Sequence, residues 1–318
     1  MQKTDFRTSK TVKQRLFSGF EYPSKPNTLC LKLNLLKMKT LKYLSVLFIA
    51  ILSFSCSSDD ETNPVITDET SNLMKIQELS NDLHTVEIYS ENGTLQQGYN
   101  AISLRIKDKN TNSFITDASV SWTPVMYMTG MQHSCPKSAV TKTTGKQTLY
   151  NGYIVFQMAS YGSEYWELTI NYTVNENNYS VSETIQVLPS DKQRVTTFTG
   201  TDNVRYVLAL VEPSTPSVAQ NNMVAGLFKM ENMMNFSVVN NYTIKIDPRM
   251  PSMGNHGSPN NVDLTQKADG FYHGKLSLTM TGYWKINLQL LNQENELLKG
   301  EEVTSENESS SLYLEVEF

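Results

Sequence analysis

Methionine and histidine recur together at two places in this chain, in stretches whose Gly and Pro keep them out of regular structure. One is Met126-Tyr127-Met128-Thr129-Gly130-Met131-Gln132-His133-Ser134-Cys135-Pro136; the other is Met250-Pro251-Ser252-Met253-Gly254-Asn255-His256-Gly257-Ser258-Pro259. Each contains Met-x-x-Met, then His, then Pro three residues after the His. A thioether is a soft, uncharged ligand that does not protonate at ordinary pH. It selects Cu(I) over hard cations, and imidazole suits copper as well. Met128, Met131 and His133 are therefore candidate Cu(I) ligands in the first loop, and Met250, Met253 and His256 in the second. Cys135 is a candidate thiolate that the second loop replaces with Ser258. The reading predicts one Cu(I) per loop.

The loops belong to a longer repeat. Met131 to Met158 and Met253 to Met280 both span 27 residues. A Gly stands six residues before each third Met (Gly152, Gly274), and a Trp follows it (Trp166, Trp284). Met126, Met158 and Met280 are additional donor candidates. The hydrophobic neighbours of Met158 and Met280 favour a place in the core, since Met fills irregular gaps. Met223, Met230, Met233 and Met234 have no counterpart in the first copy and read as packing. His84 and His273 do not match between copies and read as ordinary polar residues.

The elements that must hold these loops are strands. His84–Tyr89, Ala101–Lys107 and Ala118–Pro124 alternate apolar and polar side chains, and the last runs into the first Met loop. Gly152–Met158, Tyr165–Tyr172 and Tyr179–Val187 follow. The second copy retraces the scheme with Tyr206–Val211, a Pro-broken loop over 213–222, Tyr242–Pro248, Gly274–Met280, Tyr283–Leu290 and Ser311–Phe318. Short strands separated by turn signals predict an all-β chain of two tandem immunoglobulin-like β-sandwiches. The expected bounds are 83–190 and 204–318, joined by a linker at 191–203. No convincing amphipathic helix is visible.

Composition narrows the function classes. Of the 27 Lys+Arg, 10 lie in residues 1–55 with only 2 of the 32 acidic residues, so residues 56–318 keep 17 against 30, a balance of −13. Such acidity argues against nucleic acid and against charge-driven docking on anionic lipid. Cys30, Cys56 and Cys135 stand far apart without zinc-site spacing. Met38, Lys39 and Lys42 open a secretory signal over 38–55, whose apolar run Tyr43–Phe54 is too short to span a membrane. It ends at Leu52-Ser53-Phe54-Ser55-Cys56, which resembles a bacterial lipoprotein cleavage site, with Ser53 where Leu is usual. Cys56 is the expected lipidated residue and would hold the protein to the outer membrane, on its periplasmic or outer face. Residues 1–37 read as an upstream extension, consistent with a start assigned too early. The acidic tether over 56–82 resembles that of Bacteroidetes-type lipoproteins.

At the loops the chain resembles the YtkA-like (FixH-related) family of small secreted β-sandwich domains. The second copy carries Met250-Pro251-Ser252-Met253-Gly254-Asn255-His256, Gly270-Phe271-Tyr272-His273-Gly274, Met280 and Gly282-Tyr283-Trp284. The first keeps Gly152, Tyr153, Met158 and Trp166 but lacks the Pro between its Mets. The resemblance implies extracytoplasmic copper handling or delivery, with a copper-accepting protein as partner. No hydrolytic arrangement stands out among four His, so no enzyme is expected. A blue-copper carrier would need two His and a Cys around one ion, and only His133 and Cys135 are near the first loop. The alternative is a non-catalytic cell-surface module whose Met loops pack or touch a partner.

Overall fold

The computed structural model describes residues 68–318; the signal, Cys56 and most of the tether lie outside them. In chain order the first half holds β1 (Met74–Ser80), β2 (His84–Ser90), β3 (Leu95–Gln96), β4 (Gly98–Asp108), β5 (Ser119–Met128), β6 (Met131–His133), β7 (Thr141–Lys142), β8 (Tyr150–Phe156), β9 (Tyr165–Val174), β10 (Asn177–Ile185) and β11 (Val187–Leu188). The second half holds β12 (Val195–Thr199), β13 (Arg205–Glu212), β14 (Gln220–Asn232), β15 (Asn235–Val238), β16 (Thr243–Met250), β17 (His256–Gly257), β18 (Val262–Gln266), β19 (Tyr272–Ser277), β20 (Tyr283–Leu291), β21 (Leu297–Lys299) and β22 (Tyr313–Glu317). No α-helix occurs among the described residues, and none of their helices is long and apolar enough to cross a membrane.

Period-two alternation drives these strands. Along β5, Trp122, Pro124 and Met126 are buried, while Ser119 and Ser121 are exposed and Thr123, Val125 and Tyr127 half-buried. One face therefore supplies core and the other stays wet. In the first sandwich one sheet runs β1-β2-β4-β8-β7 and the other β10-β9-β5-β6. Between them lie Ile88, Leu104, Trp122, Trp166, Ile170 and Val181. In the second half the path β12-β13-β14-β19-β18 repeats the first order, and β20 and β16, with β22 and β17 beside them, repeat the second. There β18 also pairs with β16, through Thr243↔Thr265 and Ile244↔Leu264, so the two layers join into one eleven-stranded sheet. The chain is all-β, two tandem immunoglobulin-like sandwiches.

Three strands fall in segments that read as tether, linker and Pro-broken loop. β1 lies within the presumed tether, so the first sandwich starts before residue 83. It is an edge strand in which only Leu79 is fully enclosed, so alternation is weak. β12 occupies the presumed linker and completes the second sandwich by pairing with β13. β14 begins inside the presumed Pro-broken loop and is the longest strand, at 13 residues.

A small third core joins the two sandwiches. Val155 of the first packs with Val195, Val207, Ala209 and Phe228 of the second, flanked by Tyr99, Tyr153, Phe236 and Val238. Phe271 of the second sandwich adds its ring 5.3 Å from that of Tyr153. Burial of this apolar surface holds the pair in one arrangement.

Candidate functional site

The first Met loop is a tight hairpin. Two residues, Thr129 and Gly130, connect β5 to β6, with Gly130 at φ 81°. The left-handed conformation suits Gly at no steric cost. The register then sets Met128 opposite Met131 and Met126 opposite His133. Met126 is fully buried, Met128 half-buried, and Met131 is 48% exposed.

His133 is held from three directions. Its Nδ1 lies 2.8 Å from the Ser134 carbonyl, which can only accept, so Nδ1 carries the proton and donates. In the neutral ring the Nε2 lone pair then faces the Met158 Sδ at 3.4 Å. Trp166 packs edge-on to the imidazole, centroids 5.5 Å apart, and its Nε1–H donates to the Met158 carbonyl at 3.0 Å. One tryptophan thus places both donors. A carbonyl that accepts from Nδ1, fixes the tautomer and leaves Nε2 free is the arrangement metal-binding histidines use.

Around this pair opens a cleft of about 350 Å³, lined by Met128, Met131, His133, Gln157 and Met158 from the first sandwich and Thr197, Arg205, Met230 and Met233 from the second. Five methionines and one histidine therefore line a common space. The main-chain N–H of Ser134 donates to the Met233 carbonyl at 2.8 Å, tying the two walls together. Among the described residues no three of His, Cys, Asp and Glu converge as a metal site. A metal taken here would depend on thioethers, and the donor set suits Cu(I). Arg205 stands exposed at the rim, where water screens its charge.

Other candidates lie elsewhere. Cys135, expected as a thiolate ligand, is 1% exposed inside the first core and outside the cleft lining. Burial pushes its thiol up, against a smaller lowering by Lys137, so it stays protonated. Met126 is likewise core.

The second loop does not reproduce the first. Met250 is only 4% exposed and belongs to the second core; its Cε lies where a Cβ on Gly282 would come within 2.9 Å. Met253, in a short 3-10 turn over Pro251–Met253, is 57% exposed, and His256 is exposed. A cleft of about 410 Å³ beside this loop is lined by Pro251, Gly254, Asn255, Lys285, Glu308 and Ser309, none of them a soft ligand. Met280 is half-buried against the second core, its carbonyl accepting from Trp284 Nε1 at 3.0 Å as Met158 does from Trp166. The register pairs Met250 with His256 as it pairs Met126 with His133. The counterpart of Met250 is thus Met126, two residues before Met128, and the loop methionines of the two copies are not equivalent. One cluster forms where two were expected.

Met230 and Met233 are what the sequence reading missed. They repeat the Met-x-x-Met spacing around the polar pair Glu231-Asn232, a signal that was available.

No protein-family model matches the chain, and no curated protein matches it. Among solved structures, the Escherichia coli adhesin FdeC is similar over 76% of this chain, at 14% identity and a TM-score of 0.23; the chain spans 65% of that one. A chimeric titin Z1Z2-Z1Z2 tandem is similar over 70% of this chain and 93% of its own, at 13% identity and a TM-score of 0.17. Likenesses this distant leave the function to the site itself.

Proposed function

We propose that the chain is a non-catalytic binding module of the cell envelope, anchored by lipid on Cys56, whose ligand is one cuprous ion in the methionine cleft. The observation that carries this reading is the His133–Met158 pair. Two electron-pair donors face each other at 3.4 Å, the imidazole in the tautomer that leaves Nε2 free. Met128 and Met131 stand beside them in the same lining. The role that follows is copper handling or delivery to an accepting protein.

The test is Cu(I) titration of the full-length protein against bicinchoninate. The expected result is one Cu(I) per chain and no uptake of Zn²⁺ at equal concentration, because zinc prefers thiolate, imidazole and carboxylate. Met158→Leu, which keeps volume but removes the sulfur, weakens binding, whereas Met253→Leu leaves it unchanged. A protein that takes no Cu(I) from the competitor overturns the copper reading. The module reading would then rest on the cleft as a site for an apolar ligand or peptide, favoured by its thioether walls and the Arg205 cation at the rim. Anchoring is checked separately: a fatty-acid label on the protein should vanish with Cys56→Ala.

A further inference from the structure

The chain contains its own control for the wall that the second sandwich contributes. After β4, the Asp108 carboxylate accepts the main-chain N–H groups of Asn110 (2.8 Å) and Thr111 (2.9 Å), closing a turn whose next strand position, Phe114, bridges back to Lys107. After β14, the Asn232 side-chain oxygen accepts those of Met234 (2.9 Å) and Asn235 (3.0 Å), closing the turn to β15. β4 and β14 hold the same place in the two strand orders, and so do the two turns. The first carries Lys109-Asn110-Thr111, as a solvated hairpin tip should. The second carries Met233-Met234, and it is the copy that meets the first sandwich's Met loop. Met233 remains 40% exposed while lining the cleft, so burial in a core does not account for it. Met230, one turn-width earlier on β14, lines the same wall.

We infer that Met230 and Met233 are ligands that the second sandwich donates to the first sandwich's site, and that loading this site clamps the two sandwiches at the Ser134–Met233 bond. The inference rests on the cuprous reading above. It explains why one copy of the loop has lost its cluster: the second sandwich serves as the other wall of a single shared site.

The experiment uses the full-length protein with Cu(I) supplied against bicinchoninate, and reads affinity together with amide hydrogen exchange at Ser134. Met230→Leu/Met233→Leu should weaken Cu(I) binding by at least the roughly tenfold that loss of an outer-shell partner costs a metal site. In the wild type Cu(I) should slow exchange at Ser134, and in the double variant it should not. Met234→Leu, in the same turn but outside the lining, should behave as wild type and shows that Leu in this hairpin does not disturb folding. If the double variant binds as tightly as wild type while Met158→Leu binds poorly, the shared site is overturned and the copper reading survives. If the wild-type protein takes no Cu(I), both fall together. If Cu(I) binds and the double variant weakens it, but Ser134 exchange is unmoved, the clamp is overturned.

Discussion

Replacing Gly274 with Ala tests the repeat more directly than any binding assay. Gly274 sits in β19 between β14 and β18, opposite Met223. A Cβ there would lie 2.4 Å from the Val262 carbonyl oxygen, 3.0 Å from Leu264 Cγ and 3.1 Å from the Asp263 carbonyl oxygen. Two of these obstacles are backbone, held by the pairing of β18 with both β19 and β16. No side-chain rotation relieves them, so the cost should reach the upper end for an overpacked site, about 3 kcal/mol. With the two sandwiches unfolding together, that lowers Tm by roughly 6–12 °C. Urea unfolding followed by tryptophan fluorescence should show a lower midpoint with unchanged slope. The comparator is Gly162→Ala, which meets nothing within 4 Å and has φ +59°; it should lose only the left-handed penalty of about 1–2 kcal/mol. A Gly274→Ala protein within about 0.5 kcal/mol of wild type, the scatter of surface changes, refutes the close-approach account of this repeated glycine.

Two other outcomes follow from the titratable groups. Burial pushes the Glu87 carboxyl up, but hydrogen bonds from Lys75 and Tyr89 pull it further down, and Glu69 is lowered in the same way by Thr148 and Gln147 against its own desolvation. Both fold with depressed pKa values, so their stabilisation is present above the unfolded value of about 4.3 and is lost as pH falls through the folded one. Tm should hold from pH 8 to 5 and drop below about pH 4, less steeply in Glu87→Gln; a drop starting near pH 6 would refute the carboxylate account. Cys135 should take no iodoacetamide label in the native protein at pH 8 and full label in denaturant, read site by site by mass spectrometry. Native labelling at the rate of an open thiol would contradict its place in the core.

The strands that bury a full face were legible from the sequence. β4, β5 and β9 alternate because one side meets a core, whereas β13 reads as a continuous apolar run because Val207 and Ala209 on its other face meet the first sandwich. β1 and β12 were not, since edge strands such as Met74–Ser80 enclose few side chains and their polar residues read as tether or linker. The first Met loop was visible because its thioethers stand among Gly and Thr, where the sequence offers no packing reason for them. That Met250 turns inward was not, because its direction depends on the strand register with His256 and on the space left by Gly282. Met230 and Met233 escaped for a different reason. Their Met-x-x-Met spacing is visible, but they reach the site across about a hundred residues of chain, and the sequence carries no record of that approach.

The small core between the sandwiches has a consequence for how this pair can evolve. Val155, Tyr99 and Tyr153 on one side and Val207, Ala209 and Phe228 on the other shield one another from water. A first sandwich copied alone into another gene would carry that patch bare and would tend to self-associate. The two halves therefore travel as one piece, because the face of each that meets the other is not built for water.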